Sequence, residues 1–332
     1  MIVNPYRVQG VLPKMLTALD MGILEPRFPA FYERAYLPSR NKFHDIRAAG
    51  KMNAILSARL GSGEMPIFTS IEIETINRCN GTCSFCPANR AVDRRPLRLM
   101  DAGLFNSIVS QLGELDYRGS IGMYLNNEPL LDSRVVELCE TARRRAPKAY
   151  LHMFTNGTLL TVEKTRELMK SLDHMIVDSY DDRQRLTGNL AEVARAVEAD
   201  PDLRGRVFIY LRRRNLIRSS RGGTAPNRNL TMPLSSRCCK PFLQMVVRPD
   251  GKLSLCCCDA YGEMTMGDLS KEGVLEAWRS ERYNDARRRM ISDRNSLPTC
   301  KKCDVVDVVP MGSIPNSMTK PHPDSVISVA GA

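Results

Sequence analysis

The chain contains no uninterrupted apolar run of about 18 residues, the length a helix needs to cross a bilayer. Its amino-terminal stretch, MIVNPYRVQGVLPKMLTALDMGIL, breaks its apolar residues with Arg7, Lys14 and Asp20, so the apolar centre of a signal peptide is missing as well. These absences point to a soluble cytoplasmic protein with no membrane partner. Basic residues outnumber acidic ones by 48 to 37, yet they lack interleaved aromatics. They form short runs at 143–145, 212–214 and 287–289, the pattern of solvated helix faces, so no nucleic-acid partner is expected. The excess of 11 still favours anionic ligands at long range. With 332 residues, 43% of them hydrophobic, the chain can bury one large core or two smaller ones, which excludes disorder of the whole.

Cysteine, by contrast, is abundant, with eleven in the chain. Without a secretory signal, clustered thiols read as metal ligands or redox groups in preference to disulfides.

Residues 1–66 form a mostly helical leader, with helical periodicity at Met15 to Leu24 and Phe43 to Leu60, expected to pack as a cap on the rest of the chain. From residue 67 short β-branched runs alternate with amphipathic stretches. The expected strands are Phe68 to Ile76, Ile121 to Leu125, Tyr150 to Phe154, Met175 to Asp178 and Val207 to Leu211, with helices near 101–113, 133–145, 161–172 and 188–199. This alternation predicts an α/β fold around a parallel sheet, an open or closed barrel, with function in loops at the carboxyl ends of the strands. After residue 215 the pattern changes. A Gly-, Ser- and Asn-containing loop at 219–229 leads to a cysteine-bearing hairpin turning at Pro249-Asp250-Gly251, then a helix from Val274 to Ile291. The tail from residue 306 to 332, with Pro310, Pro315, Pro321 and Pro323, reads as irregular.

The sharpest signal is Cys79-Asn-Gly-Thr-Cys83-Ser-Phe-Cys86-Pro87, three thiols on one loop just after the first strand. Zinc usually takes four ligands, and no fourth Cys or His lies near this loop. An iron–sulfur cube held by three cysteines instead keeps one iron open. Zinc in a knuckle and three reduced core thiols stay open as competing readings.

The loop resembles the signature of the radical S-adenosylmethionine (radical SAM) superfamily. That resemblance implies a partial (β/α)6 TIM-like barrel over residues 67–232, a [4Fe-4S] cluster on Cys79, Cys83 and Cys86, and S-adenosyl-L-methionine chelated by the open iron. Phe85 then matches the position against adenine. Leu125-Asn126-Asn127-Glu128-Pro129-Leu130 resembles the family's Gly-Gly-Glu-Pro motif, with Asn in place of both glycines, so that Asn127, Glu128 and Pro129 stand where the cofactor's amino group is bound. Thr155-Asn156-Gly157-Thr158 resembles its Thr-Asn-Gly turn. Ser179, Arg214 and Asn215 fall where the family often contacts ribose or carboxylate. An electron donor such as flavodoxin or ferredoxin is implied, and the reduced cluster cleaves the sulfonium to a 5′-deoxyadenosyl radical.

Cys238-Cys239-Lys240-Pro241-Phe242, Leu255-Cys256-Cys257-Cys258-Asp259, Gly267-Asp268-Leu269, Trp278 and Cys300-Lys-Lys-Cys303 together resemble the SPASM/twitch extension, placing a small cysteine-rich domain at 233–305. A second, auxiliary [4Fe-4S] cluster is implied, with Cys238, Cys256, Cys300 and Cys303 as ligands; Cys239 and Cys257 form an alternative pair with the same separation. A zinc ribbon would accept a similar set. Cys139 reads as a buried small hydrophobe.

Single-cluster members of this kind act on aminocyclitols and sugars in antibiotic pathways, which implies dehydrogenation of a hydroxyl-bearing carbon in a small-molecule substrate. Cys239, Cys257 and Cys258 leave open a second ending, return of a hydrogen atom by a thiol, which would make an epimerase. Peptide maturation and a zinc-holding nucleic-acid binder stay open as well. For an amine-bearing substrate, Asp178, Asp181, Asp182 or Asp259 could supply the carboxylate.

Overall fold

Short strands and amphipathic helices alternate because the apolar residues switch period. In the helix Ala102–Glu114 the buried residues are Phe105, Ile108, Val109 and Leu112, one face of a 3.6-residue repeat, and the Asp101 side chain caps the start by accepting from Leu104 N at 2.9 Å. The protein is described by a computed structural model covering residues 1–4, 27–61, 63–186, 188–216, 218–228, 233–305 and 326–328. The expected helix at Met15 to Leu24, and the tail beyond 305 apart from 326–328, lie outside the described residues.

In chain order the elements are β1 (Ile2–Val3), α1 (Leu37–Leu60), β2 (Ser70–Ile73), α2 (Ala102–Glu114), β3 (Ser120–Gly122), α3 (Val135–Arg145), β4 (Tyr150–Thr155), α4 (Val162–Met169), β5 (His174–Tyr180), α5 (Leu190–Ala199) and β6 (Val207–Arg212). Then come β7 (Gln244–Val247), β8 (Lys252–Ser254), β9 (Thr265–Asp268), α6 (Val274–Arg279), α7 (Glu281–Ser292) and β10 (Val326–Ile327). The described strands form one sheet in the order β10-β1-β6-β5-β4-β3-β2-β7-β8-β9. From β1 to β7 every pairing in that order is parallel, whereas β10, β8 and β9 pair antiparallel. This is the mixed α/β sheet of a partial barrel, with loops of functional interest at the carboxyl ends of β2 to β6.

Three features differ from the pattern of the sequence. The leader is not purely helical: β1 lies parallel beside β6, where a sixth βα repeat would have placed its strand. The Met1 ammonium donates to Val207 O at 2.9 Å and Ile209 N donates to Met1 O at 2.8 Å. Burial lowers that ammonium's pKa to about 6. Next, the cysteine-bearing hairpin extends the barrel's own sheet, because β7 pairs with β2 over Ser70 to Ile73. Gly251, at φ +79°, makes its turn, which few side chains would tolerate. Finally, the single helix expected from Val274 to Ile291 is broken at Ser280, whose hydroxyl accepts from Tyr283 N at 3.3 Å and starts α7 as its cap.

The break lets two aromatics pack together. Trp278 and Tyr283 lie 4.9 Å apart, with the Arg287 guanidinium 4.1 Å from the Trp278 ring. Trp278 also meets Phe68 edge-on at 5.3 Å and donates from Nε1 to Pro66 O at 2.9 Å, seating the second unit against the start of the barrel. Cys139 is fully buried in the main core, as expected.

Candidate active site

The Cys79–Cys86 loop leaves β2 and folds back on itself. Cys86 N donates to Cys83 O at 3.1 Å, Asn89 Nδ2 to Cys83 O at 3.0 Å and Arg90 N to Gly81 O at 3.0 Å. A Cβ on Gly81 would lie 3.3 Å from Cys79 Sγ and 4.0 Å from Cys83 Sγ, so two sulfurs flank a residue that leaves them room. Burial pushes both thiols, Cys79 and Cys83, up to about 12, and the charge of Cys86 raises each of them further. Buried thiols of this kind stay protonated until a metal replaces the proton.

The second and third loops clamp the first. Glu128 N donates to Arg78 O at 2.7 Å, while the Glu128 carboxylate accepts from Leu130 N at 3.0 Å, Thr155 Oγ1 at 2.6 Å and Asn156 N at 2.7 Å. Asn156 Nδ2 donates to Asn80 Oδ1 at 2.8 Å and approaches Cys79 Sγ at 3.8 Å. Gly157, at φ +72°, closes this turn so tightly that a Cβ would meet Val177 Cγ1 at 2.5 Å. The Glu128 carboxylate therefore joins the second and third loops. Pro129 opens the turn that comes next. The two asparagines that replace glycine are both used: Asn126 N donates to Glu74 Oε1 at 2.6 Å, and Asn127 Oδ1 accepts from Leu125 N at 2.8 Å. Asn127 Nδ2 is buried with no protein partner.

Phe85 is buried with Cys83 and Leu216, its ring 5.8 Å from Tyr180 and 4.7 Å from the Arg218 guanidinium. Other expected cofactor contacts fare differently. Ser179 is fully buried and donates to Arg185 O at 3.3 Å. Asn215 is held by Asp182 at 3.1 Å. Arg214 is exposed, donates from Nη2 to Tyr180 O at 3.3 Å, and lies close enough to Cys83 to favour its thiolate.

The second thiol group gathers Cys238, Cys256, Cys300 and Cys303. The thiol of Cys300 feels the charges of Cys256, Cys238 and Cys303, and that of Cys238 feels Cys256. Cys258 lies between Cys256 and Cys303 within thiol hydrogen-bonding reach of both, so it is a fifth thiol beside the expected four. Its hydrogen bond lowers Cys303 to about 6. Cys239 is fully buried in the main core, next to Cys238, whose thiol feels its charge. Cys257 sits at the edge of this group, its thiol within hydrogen-bonding reach of Cys258, which holds it well below the usual thiol range. It is half-buried, its amide donates to Gln244 Oε1 at 3.0 Å, and its thiol lies beside Lys240 and Arg221.

Arg221 stands between the two thiol groups. Its guanidinium is close enough to feel the charges of Cys86 on one side and Cys258 and Cys257 on the other. Nη2 donates to Asn126 Oδ1 at 2.5 Å and to Cys257 O at 3.4 Å, and Nε is buried without a partner. The backbone bends sharply here. Arg221 sits at φ +46° and Gly222 at φ +62°, where a Cβ would be 2.5 Å from Thr299 Cγ2 and 2.9 Å from Cys258 O. A non-glycine residue in that region is strained and held by its surroundings.

Two carboxylates that the motifs do not single out are fully buried on β2 and the segment after it, Glu72 and Glu74. Each keeps one oxygen, Oε2, without a partner. Burial raises Glu74 to about 7; burial and then the Cys257 charge raise Glu72 to about 8. The four aspartates expected to meet an amine are engaged elsewhere. Asp178 pairs with Arg212 at 2.7 Å, Asp181 with Arg185 at 3.7 Å, Asp182 accepts from Arg214 N and Asn215 N, and Asp259 accepts from Leu255 N and Met264 N in the hairpin. A strand buried on both faces should be apolar throughout, so Ile71-Glu72-Ile73-Glu74 held a visible signal.

No three His, Cys, Asp or Glu side chains among the described residues are grouped tightly enough for one metal ion. A four-iron cube takes each thiolate on a separate iron, so its donors need not meet at a point. Three loop thiols around a glycine, and four or five thiols in a buried pocket, fit two such cubes in number and chemistry. Among the described residues no helix is long and apolar enough to cross a membrane.

Two family models match the chain. The radical SAM superfamily covers residues 73–210 and the SPASM iron–sulfur cluster-binding domain covers 238–304. The S-adenosyl-L-methionine-dependent 2-deoxy-scyllo-inosamine dehydrogenase of Niallia circulans is 26% identical over 245 residues, covering 73% of this chain and 95% of that protein. The crystal structure of BtrN in complex with AdoMet and 2-DOIA is 25% identical with a TM-score of 0.63, covering 73% of this chain and 94% of that one. BtrN in an open conformation matches the same shares at 23% identity and a TM-score of 0.54, a likeness of fold.

Proposed function

We propose, from the premise that the chain belongs to the radical SAM superfamily and carries an iron–sulfur cluster-binding SPASM domain, that it oxidises a hydroxyl-bearing carbon of an aminocyclitol or sugar to a carbonyl. The observation that carries this reading is the position of Arg221, whose one guanidinium adjoins Cys86 and also Cys257 and Cys258. A substrate beside Arg221 would have both thiol groups at hand. An electron source on one side and an electron acceptor on the other are what alcohol dehydrogenation by hydrogen-atom abstraction requires.

When bound at Cys79, Cys83 and Cys86 and among Cys238, Cys256, Cys300 and Cys303, two clusters with S-adenosylmethionine supply the abstracting radical and the acceptor of the leftover electron. The chain's own residues do the rest. Phe85 and Tyr180 give an apolar wall for the cofactor's adenine, and Glu128 holds the second and third loops in register around it. Arg221 donates to the substrate oxygen through the Nε that has no protein partner. Glu74, with a pKa near neutrality, takes the hydroxyl proton as the carbonyl forms, and Glu72 pairs with an amine. The substrate thus loses a hydrogen atom, a proton and an electron, which balances the oxidation. The setting is the cytoplasm and the product feeds an antibiotic-type pathway.

The test is anaerobic turnover of 2-deoxy-scyllo-inosamine in heavy water. A product two mass units lighter, with no deuterium in the recovered alcohol, supports the reading. Recovered alcohol carrying one deuterium at an inverted centre would overturn it in favour of hydrogen return from Cys257, the one candidate donor thiol that is half-buried beside Arg221 and not enclosed like Cys239 and Cys258.

A further inference from the structure

Immediately after the three-cysteine loop the chain reads Arg90-Ala-Val92-Asp93-Arg94-Arg95-Pro-Leu97-Arg98-Leu99. The proposed oxidation uses none of these residues, and most of their side chains, though not those of Asp93 and Arg95, face solvent in an unusual mixture. Val92, Leu97 and Leu99 are 43%, 61% and 49% exposed. Arg90, Arg94 and Arg98 are exposed between them, and among the described residues none of the three forms an ion pair. The one acid in the stretch, Asp93, has its carboxylate buried against Arg95 at 2.8 Å and Arg78 at 3.7 Å, so it does not offset them.

The segment is also tied by backbone and side-chain hydrogen bonds to the cysteine loop and the residues just before it. Asn77, two residues before Cys79, donates from Nδ2 to Pro96 O at 2.7 Å, accepts at Oδ1 from Arg98 N at 2.8 Å, and donates from its amide to Arg98 O at 3.1 Å. Ile76 and Leu99 pair across an isolated bridge. At the other end Arg90 N is bonded to Gly81 O, on the residue flanked by the Cys79 and Cys83 sulfurs. Three apolar side chains set among unpaired arginines have the composition of a protein-binding surface, and one already ordered loses little entropy on docking.

We infer that the ridge of residues 90–99 is the docking surface for a small acidic one-electron carrier protein of the flavodoxin or ferredoxin kind. The proposal rests on the radical SAM reading, which needs an electron delivered at the three-cysteine loop. Charge complementarity selects the partner: three unneutralised arginines, on a chain with a net charge of +11, steer an acidic protein toward this side. The apolar residues then seat it.

The test compares the holoenzyme with two variants, the triple Arg90→Glu, Arg94→Glu, Arg98→Glu and the single Leu97→Asp. Binding of oxidised flavodoxin and of a [2Fe–2S] ferredoxin is measured calorimetrically at low and high salt. Formation of 5′-deoxyadenosine is measured with flavodoxin hydroquinone and, separately, with dithionite. The expected result is salt-sensitive binding of at least one carrier by the wild type, weakened in both variants. Flavodoxin-driven formation falls by about 10- to 1,000-fold in the triple variant, the range over which electrostatic steering acts, while the dithionite-driven rate is unchanged. Binding of neither carrier, binding unaffected by the substitutions, or an equal loss with dithionite would each overturn the proposal. Absence of 5′-deoxyadenosine from the wild type with dithionite would count against the radical SAM reading instead, because the binding arm decides the docking surface independently.

Discussion

Arg221 donates a hydrogen bond of 2.5 Å to Asn126 Oδ1, across 95 residues of sequence, and so ties the loop after the barrel to the loop after β3. Asn126 in turn donates from its amide to Glu74, which links three residues through the centre of the proposed pocket. Lysine would keep the charge at 221 but lose the planar fork. Arg221→Lys is expected to lower carbonyl formation by about 10- to 100-fold, corresponding to one charged hydrogen bond, while substrate-independent cleavage of S-adenosylmethionine persists. Chromatographic assay of both products in one reaction checks the split.

The two buried carboxylates, Glu72 and Glu74, carry a pH signature. Glu74 ionises near 7, so the form able to take a proton accumulates as pH rises through that value, and activity is expected to rise with it. In Glu74→Gln the rise should vanish along with most of the turnover. Stability runs the other way. With a folded-state pKa of about 8 against an unfolded value of 4.5, Glu72 holds a proton in the folded protein that the unfolded chain has released. Its stabilising contribution is present below pH 4.5 and is lost as pH rises toward 8 and beyond. Glu72→Gln should therefore raise the melting temperature at pH 8.5 relative to wild type and leave it little changed at pH 4.5.

Asp304 accepts from Ser220 N at 2.7 Å and from Arg228 Nε at 2.5 Å, a buried pair that fastens the loop after β6 to the segment following Cys303. Removing one member leaves a buried charge without its counterion. Asp304→Ala is expected to cost about 3–5 kcal/mol, read as a lower urea midpoint. Asp116→Ala, at an exposed ion pair with Arg118, should shift that midpoint little.

The thiol count gives a compositional prediction. Anaerobically purified wild type should hold about eight irons per chain, four in each cube. Cys256→Ser should lose about half of them, whereas Cys258→Ser should keep both clusters, because Cys238, Cys256, Cys300 and Cys303 still supply four thiols. Loss of half the iron in Cys258→Ser would place Cys258 in the ligand set.

Much of this was legible in the order of residues. The five strands from β2 to β6 and the helices between them follow from a switch of apolar period, and the cysteine loop from its spacing. What escaped depends on tertiary placement. Ile2 and Val3 are too few to read as a strand until β6 offers them an edge. Cys239 and Cys257 are chemically alike in the sequence, yet one is fully buried in the core and the other half-buried beside Arg221. Arg221 carries no signal of its own in the sequence, because its importance comes from a left-handed backbone and neighbours more than 90 residues upstream. Ser280 showed no helix break because a serine within an amphipathic run is ambiguous between interior and cap.

The most direct measurement is 5′-deoxyadenosine release by the anaerobically purified chain given S-adenosylmethionine and dithionite, beside Cys83→Ala. Release by the wild type, abolished in Cys83→Ala although that variant stays folded, is the predicted result. Equal release by both, or none from an iron-replete wild type, would contradict the account.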